Sequence, residues 1–196
     1  MTDQTHISIR KLLGNDLRLK RIAGPSALIL FGVTGDLARK KLLPAIYDLA
    51  HRGLLPPGFA LVGFGRRPWS HEQFAAQVRE SVEAHSRTGF DEQTWSQLVG
   101  GIRFITGAFD EPEAYARLSE TLTSLRRERG TEGNHAFYLS IPPRSFPVVL
   151  EQLSSSGLAH SSNGSWCRVV VEKPFGSDLR TAQELNGMVE SVFSPD

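Results

Sequence analysis

Residues 28–44 read LILFGVTGDLARKKLLP. The apolar run Ala27–Phe31 stops at Gly32, Gly35-Asp36 follows, and an amphipathic stretch begins at Leu37. This is a strand feeding a glycine-rich turn that opens a helix. Glycines at 32 and 35 let the backbone turn sharply and let a phosphate approach the amides at the helix N-terminus. The helix dipole adds about half a positive charge there, which favours a dinucleotide pyrophosphate. The spacing is G-x-x-G rather than G-x-G-x-x-G, so an ordinary strand–helix turn is the competing reading.

Outward from this turn the pattern alternates. Residues 1–24 read as a basic tail, with Arg10, Lys11, Arg18, Lys20 and Arg21, closed by Gly24-Pro25 and expected to be poorly ordered or to dock elsewhere; a nucleic-acid arm is the alternative. The first strand (27–32) leads to a helix over 35–52, with Leu37, Leu42, Ile46 and Leu49 on one face. Pro44 lies inside that span and should kink or restart it. Phe59–Phe64 is a second strand, stopped by Gly65-Arg66-Arg67-Pro68. Ser70 and Gln73 have the spacing of a capping box for a helix to residue 86. A short helix over 91–99 precedes a third strand, 102–109. Glu111-Pro112-Glu113 opens a helix to Arg129, acidic at its start and basic at its end, as the dipole prefers. A fourth strand (135–141), a helix (146–153), a Ser-rich loop (154–165), a fifth strand (168–171) and a last helix (178–192) complete the chain. Strands alternating with such helices call for an α/β fold, and right-handed crossovers make it a doubly wound parallel sheet of Rossmann type over 25–196.

Composition narrows the function. With 196 residues, 40% hydrophobic and 22% charged, the chain can bury a core without staples. A net charge of +1 points away from a nucleic-acid partner. The single cysteine, Cys167, lies in an apolar run and should be packed rather than reactive; it allows no internal disulfide and no multi-Cys metal site. No apolar span approaches 20 residues and no signal-peptide core is present, so the expected location is the cytoplasm, with no membrane contact.

In an open parallel sheet ligands bind outside the carboxyl ends of the strands. Those ends are Gly32–Asp36, Gly65-Arg66, Gly107–Phe109, Ser140–Pro142 and Glu172–Pro174. An NAD-specific fold commonly places an acid after the second strand; here stands Arg66-Arg67, and a guanidinium suits a ribose 2′-phosphate, so NADP is the expected coenzyme. A solvated arginine pair is the bland alternative. Lys173 would project from the active edge near the nicotinamide and could steady developing charge on a substrate. Its alternative is a local ion pair with Glu172, and the Lys173-Pro174 bond can be either isomer. Hydride transfer from an alcohol needs a general base, usually His. None of His6, His51, His71, His85, His135 and His160 falls at a strand carboxyl end, so each reads as a surface or capping residue.

Four stretches, FGVTGDLARKKLLPA (31–45), GLLPPGFALVGFGRR (53–67), FYLSIPP (137–143) and RVVVEKPFGSDL (168–179), resemble bacterial-type glucose-6-phosphate dehydrogenases. The resemblance implies that Gly32, Thr34, Gly35, Asp36 and Leu37 carry the NADP pyrophosphate and Arg66 the 2′-phosphate. Ser140, Ile141 and Pro142 would line the nicotinamide side, with Phe109 and Phe146 as aromatic neighbours. Lys173 would act as the catalytic contact to both sugar phosphate and coenzyme. It further implies oxidation of glucose 6-phosphate to the 6-phosphogluconolactone in the pentose phosphate pathway, by a homo-oligomeric parent. The family's R-I-D-H-[YF]-L-G-K-E motif, catalytic His–Asp pair and large second domain are expected beyond Asp196. The chain is thus read as a coenzyme domain without turnover of its own. Two alternatives are another two-domain sugar oxidoreductase with an E-K-P motif and a non-catalytic nucleotide-binding module.

Overall fold

The computed structural model describes residues 22–160, 164–173, 176 and 178–193. Most of the basic tail, His6 and the isomer of the Lys173-Pro174 bond lie outside the described residues. Five parallel strands, β1 (Ala27–Phe31), β2 (Ala60–Gly65), β3 (Ile102–Thr106), β4 (His135–Leu139) and β5 (Cys167–Val171), form one sheet in the order β3-β2-β1-β4-β5. β3 is shorter than its apolar run suggests: after Thr106 the chain turns, and Glu111 accepts a hydrogen bond from the Ala108 amide ahead of the next helix.

The helices are α1 (Leu43–His51), α2 (His71–His85), α3 (Glu92–Val99), α4 (Pro112–Arg129), α5 (Phe146–Ser155) and α6 (Leu179–Val192). Helices α1–α3 cover one face of the sheet, over Leu30, Leu61 and Phe104. Helices α4–α6 cover the other, over Ile29, Phe31, Val62 and Phe137. Apolar residues facing both ways along β1 and β2 therefore reflect burial on both sides, as a doubly wound sheet demands. The chain crosses from one face to the other between β3 and β4, which makes the gap between the carboxyl ends of β1 and β4 the switch point of the fold.

Caps behave as their side chains dictate. The Ser70 hydroxyl accepts from the Gln73 amide at 3.2 Å while the Ser70 amide donates to Gln73 Oε1 at 2.8 Å, a complete capping box for α2. Asp178 caps α6 through the Thr181 amide at 2.8 Å. Cys167 is packed as expected: its thiol donates to the Leu158 carbonyl, and burial pushes it up to about 12.

The first helix departs from its expected face. Leu37 and Leu49 are 40% and 39% exposed, while Ala38, Leu43, Ile46 and Tyr47 are buried. A wide π-helical turn over Ala38–Leu42 closes with the Leu43 amide donating to the Ala38 carbonyl, five residues back. That extra residue shifts the stripe that a 3.6-residue period places at Leu37, Leu42 and Leu49. Pro44, which has no N–H to give, restarts the helix just after the wide turn.

His135 corrects a second expectation. It opens β4 on the same face as Phe137 and Leu139, and its Nε2 is shielded without a hydrogen-bond partner among the described residues. Burial, with the nearby Arg126 charge second, pushes it down to about 4. A histidine whose pKa falls on folding leaves the native state at full stability at neutral pH and weakens it as the pH drops below its ordinary 6.5. Linkage gives a loss of about 2 kcal/mol between pH 7.5 and pH 5. Urea titrations at the two pH values should show that loss in the native chain and a smaller one in His135→Phe; equal slopes would refute the role of His135.

Candidate functional site

The glycine turn is built by close approach. Gly32 has φ +76°, and a Cβ on it would stand 2.1 Å from the Ser140 carbonyl oxygen and 2.8 Å from Ile141 Cγ2. Only glycine fits both the conformation and the contact. The Gly32 amide donates to the Phe64 carbonyl of β2 and the Ser140 amide to the Phe31 carbonyl of β1, so the turn is pinned between β2 and β4. Beneath it Phe31 stacks on Phe64 with ring centroids 4.7 Å apart, and Phe109, Tyr115 and Phe137 complete an aromatic floor. Tyr115 donates to the Phe109 carbonyl at 2.9 Å, tying β3's exit to the same floor.

The Gly35 amide donates back to the Gly32 carbonyl at 3.0 Å and the first helical bond runs from the Arg39 amide to the Gly35 carbonyl, so the amides between them, at Asp36, Leu37 and Ala38, open the helix with no carbonyl one turn earlier. Asp36 pairs with Lys40 at 2.9 Å, and that hydrogen bond and charge hold its carboxyl below the usual range. Its negative charge is thereby partly offset at a site whose helix end attracts anions.

A cavity of about 290 Å³ opens here, at the switch point. Gly35, Asp36 and Leu37 line it from the helix start, Ser140, Ile141 and Pro142 from the exit of β4, Phe146 from α5, and Glu172 and Lys173 from the exit of β5. Eight of the expected site residues thus share one cavity. Gly32 does not line it but packs directly against Ser140 and Ile141, which do. Thr34 is exposed, its methyl 3.8 Å from where a Cβ would stand on Gly65, which places the turn beside the end of β2. Arg66 follows, exposed, while the neighbouring Arg67 carbonyl accepts from Thr106 at 3.1 Å. Phe109 sits half-buried in the aromatic floor rather than in the cavity wall.

The Glu172 carboxylate accepts a short hydrogen bond from the Tyr138 hydroxyl, and Lys173 is exposed. Tyr138 does not stand out in the sequence, and Glu172 does so only as a strand end and a neighbour for Lys173; strand order and register bring the two together. Among the described histidines none lines the cavity: His51 ends α1, His85 ends α2, and His71 begins α2 with its Nδ1 accepting from the Phe104 amide. Among the described residues no cluster could hold a metal ion, and no helix is long and apolar enough to cross a membrane.

Comparison with known proteins supplies the context. The family described as glucose-6-phosphate dehydrogenase, NAD binding domain, matches residues 29–196. Glucose-6-phosphate 1-dehydrogenase 2 of Mycobacterium tuberculosis is 60% identical over 178 residues, which is 91% of this chain and 35% of that protein. The crystal structure of glucose-6-phosphate 1-dehydrogenase from Mycobacterium avium superposes with a TM-score of 0.73 at 30% identity, covering 87% of this chain and 34% of that one. A glucose-6-phosphate dehydrogenase in complex with its substrate glucose 6-phosphate superposes at 0.75 and 27% identity, covering 90% and 36%. The chain therefore spans about a third of the length of the relatives that it matches.

Proposed function

Because the chain belongs to the glucose-6-phosphate dehydrogenase NAD binding domain family, we propose that it binds NADP along the carboxyl edge of β2, β1 and β4 and serves an enzyme that oxidises glucose 6-phosphate. The observation that carries this reading is one cavity at the switch point shared by the helix start, the β4 exit and Lys173, with Arg66 on the next strand end. The residues fit the coenzyme: the Asp36 and Leu37 amides meet the pyrophosphate, and Gly32 keeps the turn close to β4. Arg66 meets the 2′-phosphate, and Thr34 lies between these two contacts. Ser140, Ile141, Pro142 and Phe146 face the nicotinamide, and Phe109 supports them from below.

When bound, NADP would supply the hydride acceptor for oxidation of the sugar's C1 hydroxyl, as it loses its proton, to the lactone carbonyl of 6-phosphogluconolactone. Lys173 contacts sugar phosphate and coenzyme and steadies charge there. None of the described histidines is positioned to take the proton, so the base belongs to the remaining two thirds of such an enzyme. The same reading places the protein in the cytoplasm, as one subunit of a homo-oligomer, in the pentose phosphate pathway.

Calorimetry with NADP and NAD on native and Arg66→Ala chains tests the coenzyme assignment. A charge-assisted hydrogen bond contributes about 1.5–3 kcal/mol, so NADP binding should weaken roughly 10- to 150-fold while NAD binding changes little. Equal losses for both would remove the 2′-phosphate role. Glucose-6-phosphate-dependent NADPH formation by a longer chain, but not by this one, is expected under the same reading.

A further inference from the structure

Building on the proposed contact between Lys173 and the ligands, we propose that Tyr138 is a positioning residue: its hydroxyl occupies the Glu172 carboxylate and so keeps the neighbouring Lys173 ammonium available to phosphate. The register makes the contact possible. Tyr138 pairs with Val170 and Leu139 with Val171, so Glu172 lies two residues beyond Tyr138's partner, on the same face of the sheet. Diagonal neighbours on one face, about 7–8 Å apart at the backbone, are within reach of long side chains. The Tyr138 hydroxyl closes that diagonal by donating to Glu172 Oε1. Burial first, and the bond to Glu172 second, push the hydroxyl up to about 12, so it stays a donor throughout the working range of pH.

The charges around the cavity give this bond its purpose. Two carboxylates line it, Asp36 and Glu172, and one ammonium, Lys173. Asp36 is taken by Lys40. An unpartnered Glu172 would be the next anion that Lys173 meets, adjacent in the chain and on the same cavity wall. An ammonium neutralised that way would lose attraction for a phosphate. A neutral donor on the carboxylate avoids this without adding a second cation. The substitution Tyr138→Phe keeps an aromatic ring against the core on the α1–α3 face and deletes only the donor.

The test reads Lys173 directly, without any ligand. Trace acylation followed by mass spectrometry gives the reactivity of each lysine in the native chain, in Tyr138→Phe and in Tyr138→Phe/Glu172→Gln, with Lys40 and Lys41 as internal references. An exposed ion pair changes such an equilibrium about two- to fivefold. Tyr138→Phe should slow labelling at Lys173 by that factor and leave the references unchanged, and the added Glu172→Gln should restore it, because an amide cannot pair with the ammonium. Unchanged labelling in Tyr138→Phe, or no rescue in the double variant, overturns the proposal. NADP titrations of the same variants and of Lys173→Gln separate the two ideas: if labelling follows the expected pattern while Lys173→Gln binds NADP like the native chain, the positioning stands and the ligand contact of Lys173 falls.

Discussion

Gly32→Ala is expected to destabilise the fold by about 3 kcal/mol and to abolish measurable NADP binding. A left-handed backbone costs an alanine roughly 1–2 kcal/mol, and forcing an added carbon into a packed contact costs about 1–3 kcal/mol more. Both apply at φ +76° with the Ser140 carbonyl 2.1 Å from the new Cβ. Relief requires β1 and β4 to part at their carboxyl ends, which is where the cavity opens. Gly53→Ala isolates the first cost: Gly53 has φ +65° but nothing within 4 Å of a Cβ, so about 1 kcal/mol is expected there with binding intact. Urea midpoints and calorimetric titrations of the two variants check this. Equal destabilisation at both positions would show that the contact with β4 is not what selects glycine at 32.

Phe31→Ala should cost more, about 3–5 kcal/mol, the range for emptying an aromatic site in a core. Phe31 is fully buried and meets Phe64, Phe109, Tyr115 and Phe137 within 6.4 Å between centroids. Its neighbours sit on β2, β4, α4 and the loop between β3 and α4, anchored by different segments, so they cannot collapse together into the space left. The residue that follows is Gly32, so the cavity should also weaken NADP binding while Arg66 and Lys173 are untouched. Thermal and urea unfolding measure the loss; a cost under about 1.5 kcal/mol would mean that the ring cluster repacks freely.

The contrast between what the sequence discloses and what it hides has physical causes. Glycine and proline mark where strands stop, and the Ser70/Gln73 spacing marks a helix start, so the order of elements is written locally. The carboxyl-end rule then converts that order into a site, which is why Ser140 and Lys173, far apart in the chain, can be named together. Tyr138–Glu172 is different in kind: it depends on which strand lies beside which and in what register, and no local pattern carries that. The burial of His135 is within reach, since alternation puts it on the face of Phe137 and Leu139, yet its position at the far edge of the sheet suggests an exposed strand end. The face of the first helix escapes because periodicity presumes an unbroken period, and Pro44 alone hints that the period breaks.

That break has a mechanical meaning. Pro44 in an uninterrupted α-helix would drive its ring against the Lys40 carbonyl, four residues earlier. The widened loop of backbone over Ala38–Leu42 supplies the slack that lets the ring pass, so proline and loop are a single device. Asp36 and Leu37 then stand at the glycine turn on the cavity wall, while Leu43–His51 remains seated through Tyr47 and Ile46. An expansion joint of one residue thus separates the segment that lines the cavity from the part of the helix that bears the load of the core.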